Sequence, residues 1–245
     1  MRWPTLLVAI LVPAFVSLGQ WQWAKGERKA GAQALRDVRG ADAVVNLPSQ
    51  AVKPGSDAAL ALHFRPVNVS GRFLPERQFL LDNRVHRDRA GYHVLTPFRV
   101  DGSDGANAIV LVNRGWVPAD ADHRIRPAIE TPTGPLSISG TAVQAPTRFY
   151  TLSANGNTPG WSVASDASVP VWQTLDVEAF ARQSGLPTHG VVVQLAPGAD
   201  AGFVRDWPRP DERIERHYSY ALQWFGFALA TVGIWVWSLL RKEPR

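Results

Sequence analysis

The chain has 245 residues, 45% of them hydrophobic, with no cysteine and a single methionine, the first residue. The absence of cysteine excludes disulfides, thiolate zinc sites, iron–sulfur ligation and dithiol redox activity, and the lone initiator methionine excludes a methionine-based copper site. The net charge is +5, but many basic residues border two apolar ends and none form a stripe interleaved with aromatic residues, so nucleic-acid binding is not predicted.

The first predicted element is the apolar run WPTLLVAILVPAFVSLGQW at residues 3–21. A membrane span needs about 20 apolar residues, and a tryptophan at each end of this run suits the two membrane interfaces. Pro13 predicts a kink in the middle of the helix. A cleaved signal peptide is the alternative, because Ser17 and Gly19 form a small-x-small pattern. We favour a retained first transmembrane helix over residues 1–22.

The middle of the chain is predicted to be a connector followed by a β domain. Residues 23–47 are polar and alanine-rich and are expected to form a helical connector that stops before Pro48. Residues 48–216 contain strand-like stretches separated by Gly, Pro, Asn and Asp clusters. A short helix is predicted over Val177–Ser184, with Asp176 as its cap. The strand-like stretches are HFRPVNVSGRF, QFLLDNRV, YHVLTPFRV, AIVLVNRGWV, LSISGTAV, VWQTL and VVVQL.

A second apolar run, at residues 218–240, contains no charged residue. Its 23 residues would extend roughly 34 Å as a helix, enough for a hydrocarbon core of about 30 Å. Tryptophans near its end and basic residues after it match the usual border of a span. We predict a second transmembrane helix over 217–240 and a basic cytoplasmic tail over 241–245.

These elements predict an α+β membrane protein with two transmembrane helices flanking a mainly antiparallel β domain, which resembles a partly open barrel. Two spans place both termini on one side, and basic residues at the termini favour the cytoplasm. Some basic residues favour the opposite orientation, namely Lys25, Arg28, Lys29, Arg213 and Arg216. They weigh less because they lie next to a long translocated domain. The expected location is the inner membrane, with the main domain in the periplasm.

No motif in the sequence is specific for catalysis. HExxH, GxSxG, Walker and GxGxxG patterns are all missing, so we predict that the protein is not an enzyme. His86 and His93 flank the turn HRDRAGYH, and they are interpreted either as ordinary turn histidines or as a pair facing each other on adjacent strands. A membrane-tethered hydrolase remains a rival hypothesis.

The segment LVNRGWVP is distinctive because an apolar strand is expected to end abruptly at Asn113, Arg114, Gly115 and Trp116. Glycine permits backbone geometry that other residues avoid, tryptophan supplies a large amphipathic ring, and arginine supplies a planar head with five donors. Two interpretations stay open. The segment is either a strand-to-loop corner fixed by a buried tryptophan or a surface that binds a partner.

Four blocks resemble the surfeit-one family of cytochrome c oxidase assembly proteins, in the family's order. They are LGQWQWAKGERK after the first span, VSGRFLPERQFLLDNRVHRDRAGYHVLTPF, LVNRGWVP, and HYSYALQWFGFA at the start of the second span. The segments DVRGADAVVNLPSQAVKPGSDAAL and TPGWSVASDASVP stay unmatched. The resemblance implies two membrane helices, a periplasmic domain and a role in delivering haem a to oxidase subunit I.

The resemblance also implies a haem a site formed by His217, the iron ligand, and Trp224. Helical spacing places Tyr220 and Ala221 on the same face, with Ala221 expected to leave room for the ring. The alternative is that these residues anchor the helix at the membrane interface. A second axial ligand could be a partner residue, water, or Gln20 or Gln22.

The implied partners are oxidase subunit I, haem a synthase and the lipid bilayer. Small residues of the second span are expected to allow close helix contact, namely Ala221, Gly226, Ala228, Ala230 and Gly233. The alternative function is a scaffold that binds nascent oxidase subunits without touching haem.

Overall fold

The structure, a computed structural model, describes residues 2–102, 107–122, 125–145, 169–198, 202–207 and 214–241. The chain divides into two compact units, Met1–Leu35 with Pro208–Arg245 and Arg36–Trp207. Of the residues considered above, Arg213 and residues 242–245 of the basic tail lie outside the described residues.

The first unit contains most of one long helix, up to Leu35, and a second long helix. Helix α1 covers Arg2–Gly40 and the last helix, α4, covers Ile214–Leu240. Both are long and apolar enough to cross a membrane, which confirms the prediction of two candidate transmembrane helices. Pro13 lies inside α1 without ending it. Where each membrane segment begins and ends stays a prediction.

The predicted helical connector is correct only as far as Gly40. After Gly40 the chain turns, and strand β1 forms at Val45–Asn46. The expectation of helix up to residue 47 is therefore wrong, because this short strand pairs in parallel with the strand that starts at Pro66.

The second unit is built mainly from strands, and each of the seven strand-like stretches contains one. The strands are β2 (Pro66–Phe73), β3 (Phe79–His86), β4 (Arg89–Val100), β5 (Ile109–Pro118), β6 (Leu136–Gln144), β7 (Val171–Trp172) and β8 (Thr188–Leu195). Two short helices join them, α2 (Asp57–Leu62) and α3 (Val177–Ser184).

The strands form one sheet in the order β1-β2-β6-β8-β5-β4-β3-β7, and β2 also pairs with β4. This extra pairing closes β2, β6, β8, β5 and β4 into a five-stranded barrel. Four of the five pairings are antiparallel and the β5–β8 pairing is parallel. The predicted class is confirmed, and the barrel is closed where a partly open one was expected.

The barrel core follows from alternation along the strands. In β2 every second side chain is buried, including Val67, Val69 and Phe73. Closure depends on Gly71, because a Cβ atom there would overlap the carbonyl oxygen of Arg99 on β4. The glycine thus permits the close approach of β2 and β4.

The two short helices have conventional caps. The Asp176 carboxylate accepts a hydrogen bond from the Ala179 amide (2.7 Å), and Gly185 ends α3 in a left-handed conformation. The prediction of a helix over Val177–Ser184 with Asp176 as its cap is confirmed. Helix α2 was not predicted, although Ser56 caps it by accepting from the Ala59 amide (3.3 Å).

Candidate functional site

The candidate haem site lies on the pair of helices α1 and α4. On α1, the residues that contact α4 include Phe15, Gly19, Gln22 and Gly26, which follow the spacing i, i+4, i+7 and i+11 of a single helix face. Gln22 and Gly26, which come later in α1, contact residues at the start of α4, whereas Phe15 contacts a residue further along α4. The two helices are therefore antiparallel.

Two glycines of α1 let aromatic rings of α4 approach its backbone. A Cβ atom at Gly19 would lie 2.5 Å from the Phe225 ring, and one at Gly26 would lie 3.0 Å from the Tyr218 ring. The Tyr218 hydroxyl donates to the Glu27 carboxylate (3.0 Å), and Trp23 packs edge-on against the Tyr218 ring. The sequence signals for this contact are the small residues on α1.

The small residues predicted on α4 are only partly used. Ala221 and Ala228 are buried, as expected. Ala230 is exposed, and a Cβ atom at Gly226 or Gly233 would meet no described atom within 4 Å. The prediction is wrong for these three residues, because the opposite helix carries the required glycines.

His217 lies in the first turn of α4 and is half-buried. Its Nδ1 atom is 2.9 Å from Oε1 of Gln22, a normal hydrogen-bond length. Gln20, the other glutamine considered as an axial ligand, is exposed. The structure therefore brings Gln22, and not Gln20, to the histidine.

Trp224 lies two turns deeper along α4. Its ring stacks on Phe15 of α1, with centroids 5.8 Å apart and an interplanar angle of 25°, and meets Phe227 edge-on. His217 and Trp224 thus both contact α1, as their shared helix face predicts. One side of the indole is already occupied by a phenylalanine.

Tyr220 and Ala221 differ sharply in exposure. Tyr220 is 50% exposed and Ala221 is fully buried. Protein atoms cover Ala221 in this arrangement, whereas Tyr220 lies on the exposed flank of α4. The participation of His217, Tyr220, Ala221 and Trp224 in a haem site stays a prediction.

The segment Asn113–Arg114–Gly115–Trp116 is part of β5, which continues to Pro118. The prediction of an abrupt strand end is wrong. The β4–β5 register pairs Leu95 with Asn113 and Val94 with Gly115, so Arg114 is the extra residue of a β-bulge. Gly115 has a φ of +131°, a value that favours glycine.

The side chains of this segment are buried. Arg114 is 1% exposed, and Asn113 and Trp116 are each 6% exposed. Trp116 Nε1 donates to the carbonyl of Arg84 (2.9 Å), which is the buried-tryptophan interpretation of the segment. Partner binding by these four residues stays a prediction.

Arg114 is held by neutral acceptors and by an aromatic ring. Its Nη1 donates to the Thr131 hydroxyl (2.7 Å) and its Nη2 to the Glu130 carbonyl (2.8 Å), while the guanidinium carbon lies 4.6 Å from the Phe203 ring centroid. A neighbouring cavity of about 590 Å³ is lined in part by Arg114, Phe203 and Ile129.

The two turn histidines do not face each other. The β3–β4 register pairs His93 with Leu81, and His86 packs against the Trp116 ring. Burial, together with the Arg84 guanidinium, lowers the pKa of His93 to about 4. The His93 Nδ1 atom accepts a hydrogen bond from the side-chain amide of Asn113 (3.2 Å). Among the described residues no group of three His, Cys, Asp or Glu side chains could hold a metal ion.

The family model described as the SURF1 family matches residues 9–229. The chain belongs to the SURF1 family. This family is known for cytochrome c oxidase assembly factors, and the resemblance seen in four sequence blocks is confirmed.

Relatives from distant organisms align over nearly the whole chain. A SURF1-like protein of Rickettsia conorii is 26% identical over 94% of this chain and 88% of its own length. Surfeit locus protein 1 of Homo sapiens is 25% identical, over 100% of this chain and 79% of its own length. That of Arabidopsis thaliana is 23% identical, over 99% and 79%. Similarity to the SURF1 family thus covers both helices and the barrel.

Proposed function

We propose that this SURF1-family chain is a non-enzymatic assembly factor that holds haem a at the periplasmic edge of the inner membrane and passes it to subunit I of cytochrome c oxidase. Haem a synthase would supply the haem. The observation that carries the proposal is a half-buried imidazole, His217, at the start of an apolar helix whose exposed flank continues with aromatic side chains.

His217 would bind the haem iron, since neutral imidazole is a common axial ligand of haem. Tyr220, 50% exposed, would contact the macrocycle through its ring, and the exposed part of Trp224 would extend the same apolar surface. A haem held on an open flank by one protein ligand is easier to release than one enclosed by a core, which suits a carrier.

The proposed placement of the site at the membrane surface depends on the topology of the two spans. Basic residues near the termini favour a cytoplasmic location for both, and with both termini there the barrel and the start of α4 would be periplasmic. A reporter that is active only in the periplasm, fused after Arg245, should stay inactive. Activity of this fusion would place His217 on the cytoplasmic side.

The scaffold function is the second candidate, and the complete burial of Ala221 favours it. In that case the helix pair would contact oxidase subunits through protein surfaces alone, and haem would never bind. The same helix pair therefore supports two functions that differ in one measurable property, the haem content of the purified protein.

Full-length protein purified in mild detergent from cells that make haem a separates the two functions. We expect about one haem per chain, lost in His217→Ala and retained in His86→Ala, a half-buried histidine of the barrel unit. Haem-free wild-type protein that restores oxidase assembly in a deletion strain would support the scaffold function and reject the carrier.

A further inference from the structure

The hydrogen bond between α1 and His217 has a chemical consequence for the proposed haem site. Gln22 Oε1 lies 2.9 Å from His217 Nδ1. We infer that Gln22 is the positioning residue that selects the Nδ1–H tautomer of His217 and leaves Nε2 free to bind the haem iron. The inference rests on the proposed function for its haem part, whereas the tautomer itself belongs to the haem-free protein.

The inference follows from the donors and acceptors available to each group. A neutral imidazole carries one N–H and one lone pair on its two nitrogens. An amide carbonyl oxygen only accepts hydrogen bonds, so Nδ1 must donate to Oε1 of Gln22. The lone pair then belongs to Nε2, which is the atom a haem iron requires.

The position of Gln22 on α1 makes this contact well defined. Gln22 lies on the same helix face as Gly19 and Gly26, one turn from each, and both glycines are in close contact with aromatic rings of α4. The backbone of α1 is thus held near α4 on both sides of the glutamine. A half-buried amide placed in this way restricts the orientation of the imidazole plane.

Gln22 would therefore support His217 and would not itself bind the iron. The iron would bind Nε2, whereas Oε1 of Gln22 contacts the other ring nitrogen, Nδ1. In metal sites a ligating histidine commonly donates its other N–H to a protein acceptor, which fixes the tautomer and raises the basicity of the ligand. Loss of such an acceptor typically weakens metal binding by about 10- to 100-fold.

The first test uses haem-free full-length protein in detergent with ¹⁵N-labelled histidine. We expect the His217 signal, identified by its loss in His217→Ala, to show a protonated Nδ1. Gln22→Leu should shift the tautomer toward Nε2–H, while Gln20→Leu, which changes an exposed neighbour, should not. A protonated Nε2 in the wild type, or an unchanged tautomer in Gln22→Leu, would overturn the inference.

The second test measures haem a bound to the same variants. Gln22→Leu should retain haem about 10-fold less well. It should also raise the reduction potential of the haem, because an imidazole without this acceptor donates less electron density to the iron. Gln22→Glu, which restores an acceptor, should lower the potential below that of Gln22→Leu. Equal potentials in the wild type, Gln22→Leu and Gln22→Glu would contradict the positioning role.

The two tests keep the inference apart from the proposed function. If His217→Ala retains haem, the carrier function is wrong, and the tautomer measurement still decides whether Gln22 orients the ring. If His217→Ala loses haem but Gln22→Leu leaves both the tautomer and the potential unchanged, the carrier stands and the positioning role fails.

Discussion

In the barrel, alternate side chains of β2 are buried, and nine of the ten residues of β5 are buried. Along α4, by contrast, two of 27 residues are buried, Ala221 and Ala228. The barrel therefore removes its apolar surface from water by itself, as a domain stable in water must. The helix pair leaves most of its apolar surface for lipid and is joined by a few close contacts.

This difference suggests that the barrel residues mainly stabilise the fold, whereas the accessible residues of the helix pair mainly bind ligands or partners. In the barrel, buried polar residues such as Arg114 have packing partners, and changing them should destabilise the fold. In the helix pair, His217 and Tyr220 keep part of their surface accessible, and changing them should alter binding more than folding. Variants in each region put this separation to the test.

The largest effect is expected where the barrel closes. Gly71→Val would force a side chain into the carbonyl of Arg99 and separate β2 from β4, which should cost about 4 kcal/mol or more of the free energy of unfolding. Chemical unfolding of the detergent-solubilised chain, followed by tryptophan fluorescence, measures it. Ser70→Ala, one residue earlier on the outer face, is the control and should cost less than about 1 kcal/mol.

Arg114→Ala should have the next largest effect, about 3–4 kcal/mol, because it removes charged hydrogen bonds to Thr131 and Glu130 and leaves a void beside Phe203. The same unfolding measurement applies. If partner binding is the main role of Arg114, the variant will instead keep its stability and lose oxidase assembly.

Acid should destabilise the barrel through His189. Burial lowers the pKa of this imidazole from 6.5 to about 4, against an opposing effect of the backbone at Pro48. Below pH 6.5 the unfolded chain takes up a proton that the folded chain does not bind until about pH 4, so the free energy of unfolding should fall by roughly 3 kcal/mol between these values.

Unfolding at several pH values checks this slope. In the wild type the Val52 backbone amide donates to His189 Nδ1 (3.3 Å). His189→Gln keeps an acceptor for this amide but cannot titrate, so it should remove much of the dependence of the free energy of unfolding on pH. His93→Gln should remove a further part, since burial lowers the pKa of His93 to about 4 as well. A slope that is unchanged in the double variant would refute the assignment.

The sequence predicted most of the fold because its signals are local. Apolar stretches bounded by turn residues predicted seven of the eight strands, β2 to β8, and Asp176 marked the start of α3. Closure of the barrel was not predicted, because it depends on a long-range contact between Gly71 and Arg99. The bulge at Arg114 was mistaken for a strand end for the same reason: only the partner strand shows that one residue is extra.

The candidate site was predicted in part. Helical periodicity placed His217, Tyr220, Ala221 and Trp224 together, but periodicity within one helix says nothing about what the other helix covers. The burial of Ala221 and the contact between Gln22 and His217 depend on how α1 lies against α4. The glycine spacing on α1 was the available signal for that contact.

The smallest effect is expected from weakening the contact between α1 and α4. This change tests whether the glycines of α1 are what allow the two helices to approach. Gly19→Val would push α1 away from the Phe225 ring, whereas Gly226→Val changes a position with no described atom within 4 Å of its Cβ. Helix contacts in membranes are individually weak, about 1 kcal/mol, so Gly19→Val should weaken the pair roughly fivefold and leave the barrel stable.

Because the chain contains no cysteine, the pair can be followed with two introduced thiols. Thr5→Cys and Trp235→Cys replace side chains that form a hydrogen bond across the helices (3.3 Å), and a short thiol-reactive crosslinker reports their proximity. Crosslinking should slow severalfold with Gly19→Val and stay unchanged with Gly226→Val. If both valines slow it equally, the loss reflects a general cost of valine in a helix, and the glycines of α1 do not hold the pair together.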